Sequence, residues 1–233
     1  MKILSFVIPK IHIIKRTNIF PISHKNIITK DMFIPQNISV FKDLKYEKSK
    51  NLNEAAMFAK KFFGVENFNI CDLSSANLLN RVFTKIYNTT KGKAVFPPNV
   101  SVIKNKNARF TGACSDTHIE VIKNPCMSDD IVHEIGHYNH QKSSSNYDNM
   151  GKLQELNLSS IKDFTIYEQF KNDKKSLMLI KKYVCPYATS SAAEFVACAF
   201  NSIINGKKLP NEIYELYKKY EGPFVDVFLM DRF

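Results

Sequence analysis

The chain contains no tryptophan, only 7 glycines and 9 prolines in 233 residues, and no two cysteines in CxxC spacing. So little Gly and Pro excludes a collagen-like or low-complexity chain. The 5 cysteines, at positions 71, 114, 126, 185 and 198, are odd in number and irregular in spacing. That argues against a disulfide framework and leaves free thiols of a chain made in a reducing compartment. No window approaches eighteen apolar residues, so no transmembrane helix is expected. A long basic block is missing too. The formal charge is +11, but the lysines are scattered through segments such as "KYEKSK" and "KNDKK". This is general richness in Lys, Asn and Ile, and no specific nucleic-acid partner is expected.

What is present is globular: 44% hydrophobic and 12% aromatic residues, in a length that fits one large domain with an appendage. Residues 1–48 carry "IP", "FPI" and "IPQ" units and read as an extended arm of unknown role. Its start, "MKILSFVIP", has the look of a signal peptide. However, Lys10, His12, Lys15 and Arg16 break the apolar run, and no small-residue cleavage site follows. The expectation is a chain cytoplasmic at synthesis. Residues 49–233 read as the domain proper. "NLNEAAMFAKKFFG" has an Asn cap and a terminal Gly64, and "SSANLLNRVFTKIYNTTKG" has Ser74 or Ser75 as cap. Strand-like pieces follow in "KAVFPPNVSVI", with Pro97 and Pro98 placing it at an edge or bend, and in "THIEVI". A helix begins near Ser128 and runs through "IVHEIGHYNH". A polar loop, "QKSSSNYDNMGK", comes next, then a helical, broken stretch from "KDFTIYEQF" to "KKYV". The last helices are expected from Ser190 or Ser191 to Gly206 and after Pro210.

"HEIGH", residues 133–137, fits H-E-x-x-H. On a helix, His133 and His137 leave the same face one turn apart, where two imidazoles can reach one tetrahedral zinc ion. Glu134 is placed to reach water activated at the metal without binding the metal, as a general base must. Ile131, Val132 and Ile135 can face a core. Gly136 costs about 1 kcal/mol against Ala inside a helix, and close approach by another backbone would explain it. Two surface histidines on an amphipathic helix would give the same string.

A catalytic zinc needs a third protein ligand. From Tyr183 to Gly206 the one charged residue is Glu194, amid Ala192, Ala193, Phe195, Val196, Ala197, Cys198, Ala199 and Phe200. A helix apolar all round is buried, and an unpaired carboxylate there would cost several kcal/mol or take up a proton. A divalent cation removes that difficulty, which nominates Glu194. A bond to a backbone group or a lysine is the alternative. Glu155, Asp163 and Glu168 are rivals in polar sequence, and His140 lies one turn beyond His137, badly placed to close the tetrahedron. Cys198, one turn from Glu194, is either a soft extra ligand or an inert buried thiol.

"HEIGH" followed by "YATSSAAEFVACAF" resembles the catalytic domain of anthrax lethal factor and its relatives, including the clostridial Pro-Pro endopeptidases. Tyr187 stands seven residues before Glu194, as in that family's pattern, Phe195 and Ala197 also fit, and the late "YKKYEGP" is similar to its C-terminal end. The likeness covers roughly residues 50–225 in layout. It implies an α+β, zincin-like fold: a small twisted sheet, an active-site helix and a helical C-terminal subdomain carrying the glutamate. It implies zinc endopeptidase activity on a protein substrate, with Tyr187 donating to the oxyanion, a role a fixed phenol fills well. A toxin or exported effector is part of that expectation. The family often has an acid where this chain has Cys198, so support for a ligand from that position is in doubt. Substrates of zincins lie along an edge strand, here expected near Thr117–Ile122. The rivals are an intracellular zincin acting on nucleic-acid-associated proteins and a zinc-stabilised interaction module without catalysis.

Overall fold

The computed structural model describes residues 41–105, 110–151 and 165–226. Most of the expected arm, residues 1–40, lies outside them, as do Glu155 and Asp163. The remainder of that arm, residues 41–48, lies along a helix of the domain. The Leu44 N–H donates to Asn88 Oδ1 and the Asn88 amide donates back to the Leu44 carbonyl, each at 2.9 Å. Tyr46 donates to Asn77 Oδ1.

The chain then alternates helix and strand: α1 (Leu52–Phe63), β1 (Asn67–Ile70), α2 (Leu73–Thr89), β2 (Asn99–Ile103), β3 (Gly112–Cys114), β4 (His118–Ile122) and α3 (Met127–Ser143). Helices follow: α4 (Thr165–Asn172), α5 (Lys174–Tyr183), α6 (Ala192–Ile204) and α7 (Asn211–Lys219), with short 3₁₀ turns at Tyr147–Met150 and Tyr187–Thr189. The result is a mixed α and β fold with a small mixed sheet, compatible with the α+β expectation. No helix among the described residues is long and apolar enough to cross a membrane.

The expected signals place α1. Asn51 accepts from the Glu54 N–H, and Gly64 closes the helix at φ +70°, where a side chain would be strained. For α2 the cap is Asp72, not Ser74 or Ser75. Its carboxylate accepts from the Ser75 N–H at 2.9 Å and pairs with Lys123 at 2.7 Å. A carboxylate serves both the helix end and a lysine of the β4–α3 connection, which a serine hydroxyl could not.

The sheet order is β1-β2-β4-β3, with β1, β2 and β4 parallel and β3 antiparallel to β4. Two expectations are corrected by this order. β2 is interior, not an edge; the alternative, a bend, holds at Pro98 just before the strand. Pro97 and Pro98 precede it, and the Pro98 carbonyl accepts from the Glu66 and Asn67 N–H groups at 2.8 and 3.0 Å, starting the β1 pairing. β4 is interior as well, because β2 and β3 occupy its two sides, so a substrate strand cannot add along Thr117–Ile122. Among the described residues, the edge on that side of the sheet is β3. Register stacks Val100 beside Ile119 and Val102 beside Val121, all four buried. This face meets α3.

α3 is caught between the sheet and α6. Ile131, Val132 and Ile135 are buried, as their spacing predicts. The glycine between the motif's Ile and second His is explained: a Cβ on Gly136 would stand 3.2 Å from Ala197 Cα and 3.4 Å from the Ala197 carbonyl oxygen. The two helices cross backbone to backbone there. That crossing sets the first turn of α6 against the middle of α3.

Candidate metal centre

Glu194 is the third residue of α6, whose N-cap is Ser191; the Ser191 Oγ accepts from the Glu194 N–H at 3.1 Å. The partial positive charge of the helix start favours a carboxylate there. His133 and His137, one turn apart on α3, turn their rings toward it. The three ligand atoms converge. His133 Nε2 and His137 Nε2 are 3.1 Å apart, and Glu194 Oε2 is 3.2 Å from the first and 3.3 Å from the second. A tetrahedral ion with bonds of about 2.0–2.1 Å sets its donors roughly 3.3–3.4 Å apart. The near-equilateral triangle comes close to that edge length on all three sides, a little short on two. Two imidazoles and a carboxylate can hold a metal ion here, and among the described residues no other group of three or more such side chains converges in this way.

Electrostatics fits a cation site. Burial pushes the Glu194 carboxyl up, but hydrogen bonds and charge from the two imidazoles more than reverse it and hold it well below the usual range. At His133 burial opposes the charged form, yet Glu194 and then Glu134 and Asp130 raise its pKa. Negative potential thus gathers where the lone pairs meet.

Glu134 is 7% exposed and lies between α3 and β3. A Cβ on Gly112 would come within 2.5 Å of Glu134 Oε1, so the bare glycine makes room for this carboxylate beside the edge strand. Desolvation raises its pKa; the charges of His137 and His133 pull the other way. Tyr187 is 52% exposed in its 3₁₀ turn, with its ring centroid 6.1 Å from that of His133. It borders the centre on the solvent side.

The rivals in the described residues stand elsewhere. Glu168 is exposed on α4 and accepts from Asn172. His140 donates from Nε2 to the Tyr220 carbonyl at 2.8 Å. Cys198 lies outside the ligand group: its Sγ is 3.8 Å from Nδ1 of His133, the ring nitrogen opposite the ligand atom. This is where an acid would brace the ring, and a thiol takes its place. That thiol also shares a hydrogen bond with the free thiol of Cys185. The bond, opposed by burial and aided by the Ala188 and Tyr187 amides, brings the Cys185 thiol down to about 6.

Three residues of the surroundings escaped sequence reasoning. Gly112 and Cys185 carry no pattern. Tyr147 lies in the loop read as polar, and its hydroxyl is 3.1 Å from His137 Nδ1. Being the lone aromatic in "QKSSSNYDNMGK" was its only signal.

No family model, curated protein or solved structure matches this chain. The likeness to lethal factor therefore rests on the two motifs quoted above.

Proposed function

We propose that the chain is a zinc-dependent endopeptidase of the zincin type. The observation that carries this reading is the convergence of His133, His137 and Glu194 at tetrahedral spacing with the Glu134 carboxylate alongside. The small mixed sheet leading into α3, and the helical part that supplies Glu194, support the zincin layout.

His133, His137 and Glu194 would hold the zinc, which when bound supplies Lewis acidity toward water and the scissile carbonyl. Glu134 takes the proton of the attacking water and later gives it to the leaving amine. A buried carboxylate beside the ligand atoms is positioned for both transfers. Its burial keeps competing solvent from that carboxylate. Tyr187 donates from its hydroxyl to the oxygen on which charge develops. The substrate backbone adds to β3, the edge strand, against which Gly112 lets the Glu134 carboxylate pack closely. A module that only binds zinc needs neither a buried Glu134 nor Tyr187, so both favour catalysis.

Peptide-library cleavage by the zinc-loaded chain, with Glu134→Gln as the control, tests this. Cleavage by the unaltered chain should fall about 10²–10⁴-fold in the variant while zinc stays bound. Equal cleavage by both would refute Glu134 as the base.

A further inference from the structure

We propose that Tyr147 is a positioning residue of the metal centre, holding the His137 ring so that Nε2 faces the ion whether or not the ion is present. The inference rests on the metal reading of His133, His137 and Glu194, and adds a residue to it.

The geometry starts at the outer nitrogen of His137, 3.1 Å from the Tyr147 hydroxyl. A hydroxyl both donates and accepts, whereas a carboxylate only accepts. With a metal on Nε2, Nδ1 carries the proton and donates to the phenol oxygen. Without it, Nε2–H can donate to Glu194, 3.3 Å away, and Nδ1 accepts from the phenol O–H. Rotating one hydroxyl serves both states, and the ring need not turn. The phenol also fixes the ring laterally. Its own ring stands edge-on to His137 (centroids 6.3 Å, 84°) and to His140 (5.1 Å, 90°).

Tyr147 is itself held in place. It opens a 3₁₀ turn that ends in the buried Met150. The residues leading to it are tied to the segment after α7. Ser144 Oγ donates to Glu221 Oε2, Asn146 donates to Glu221 Oε1 at 3.2 Å, and the Asn146 N–H donates to Ser144 Oγ at 3.1 Å. His140 secures the preceding carbonyl, that of Tyr220. The "YEG" segment thus braces the loop that braces His137. His133 has a weaker support, a thiol at 3.8 Å from Nδ1, since sulfur is a poor hydrogen-bond partner.

Competition with a chelator, followed for zinc and the folded chain, measures the consequence. Tyr147→Phe keeps the ring and its packing and should weaken zinc binding about 10–100-fold. Cys198→Ala, removing the poorer support, should cost less. NMR of the His137 Nδ1–H in the zinc-loaded chain should show a clear shift between the unaltered chain and Tyr147→Phe, a signature of the lost acceptor that packing alone would not require. Zinc affinity unchanged in Tyr147→Phe, or a His137 Nδ1–H signal unmoved by that change, would overturn the role of Tyr147 and leave the metal site standing. Failure of the unaltered chain to bind zinc would overturn both.

Discussion

His137 and His140 stand three residues apart on α3, both buried, yet their surroundings differ in kind. His140 donates to one neutral carbonyl, that of Tyr220, and its Nδ1 has no partner among the described residues. Burial holds its pKa down to about 4, against a smaller upward pull from the Tyr220 carbonyl. It is a neutral peg joining α3 to the end of α7. His137 instead turns Nε2 into a point shared with His133 Nε2 and Glu194 Oε2, where several lone pairs meet with fewer protons to separate them. A buried histidine on α3 is thus no ligand by position alone. Convergence of acceptors is the distinguishing feature, and it asks for a cation.

The pair can be pulled apart by substitution. The largest effect is expected from His137→Ala. Zinc affinity should fall by more than the roughly 10–100-fold that loss of an outer partner costs, and cleavage should disappear with it. His140→Ala should do the opposite, lowering stability and leaving the ligand set. If His140→Ala abolished zinc binding in a chain still folded, the division between peg and ligand would fail.

Acid sharpens the same contrast. The folded-state pKa of His140, about 4, is below its ordinary 6.5. The unfolded chain therefore binds the proton first, and the stability due to the neutral ring is complete above 6.5. It drains away as pH falls from 6.5 toward 4, by up to about 3 kcal/mol. Chemical denaturation across that range should show the decline, and His140→Ala should flatten it. A smaller effect is expected at the helix crossing. Gly136→Ala puts a methyl 3.2 Å from the Ala197 backbone. Overpacking of about 1–3 kcal/mol exceeds the roughly 1 kcal/mol that Ala gains in a helix. The net should be a loss of about 1 kcal/mol in denaturant midpoints, and a gain in stability would mean the backbones are not in contact.

The parts of the fold legible in the sequence were those coded locally. Spacing four apart placed His133 and His137 together, and an apolar run with one acid in it pointed to a buried α6 and to Glu194. Gly136 was readable as a close approach because nothing else justified a glycine there. Nonlocal order was not readable. β1 and β3, of 4 and 3 residues, are too short to show a period of two. Without them β2 and β4 passed for edges, although pairing on both sides makes them interior. Asp72 was overlooked as a cap because its second role, the pair with Lys123, comes from a residue 51 positions on. Tyr147 reaches His137 by a loop whose path no periodicity encodes.

The central claim is that one carboxylate on α6 completes a metal site begun by two imidazoles on α3. Metal analysis of the purified chain beside Glu194→Gln tests it most directly. The account predicts one zinc per unaltered chain and a large loss of zinc from a variant whose circular dichroism shows it still folded. Equal zinc in both, or no bound metal in the unaltered chain, would contradict it.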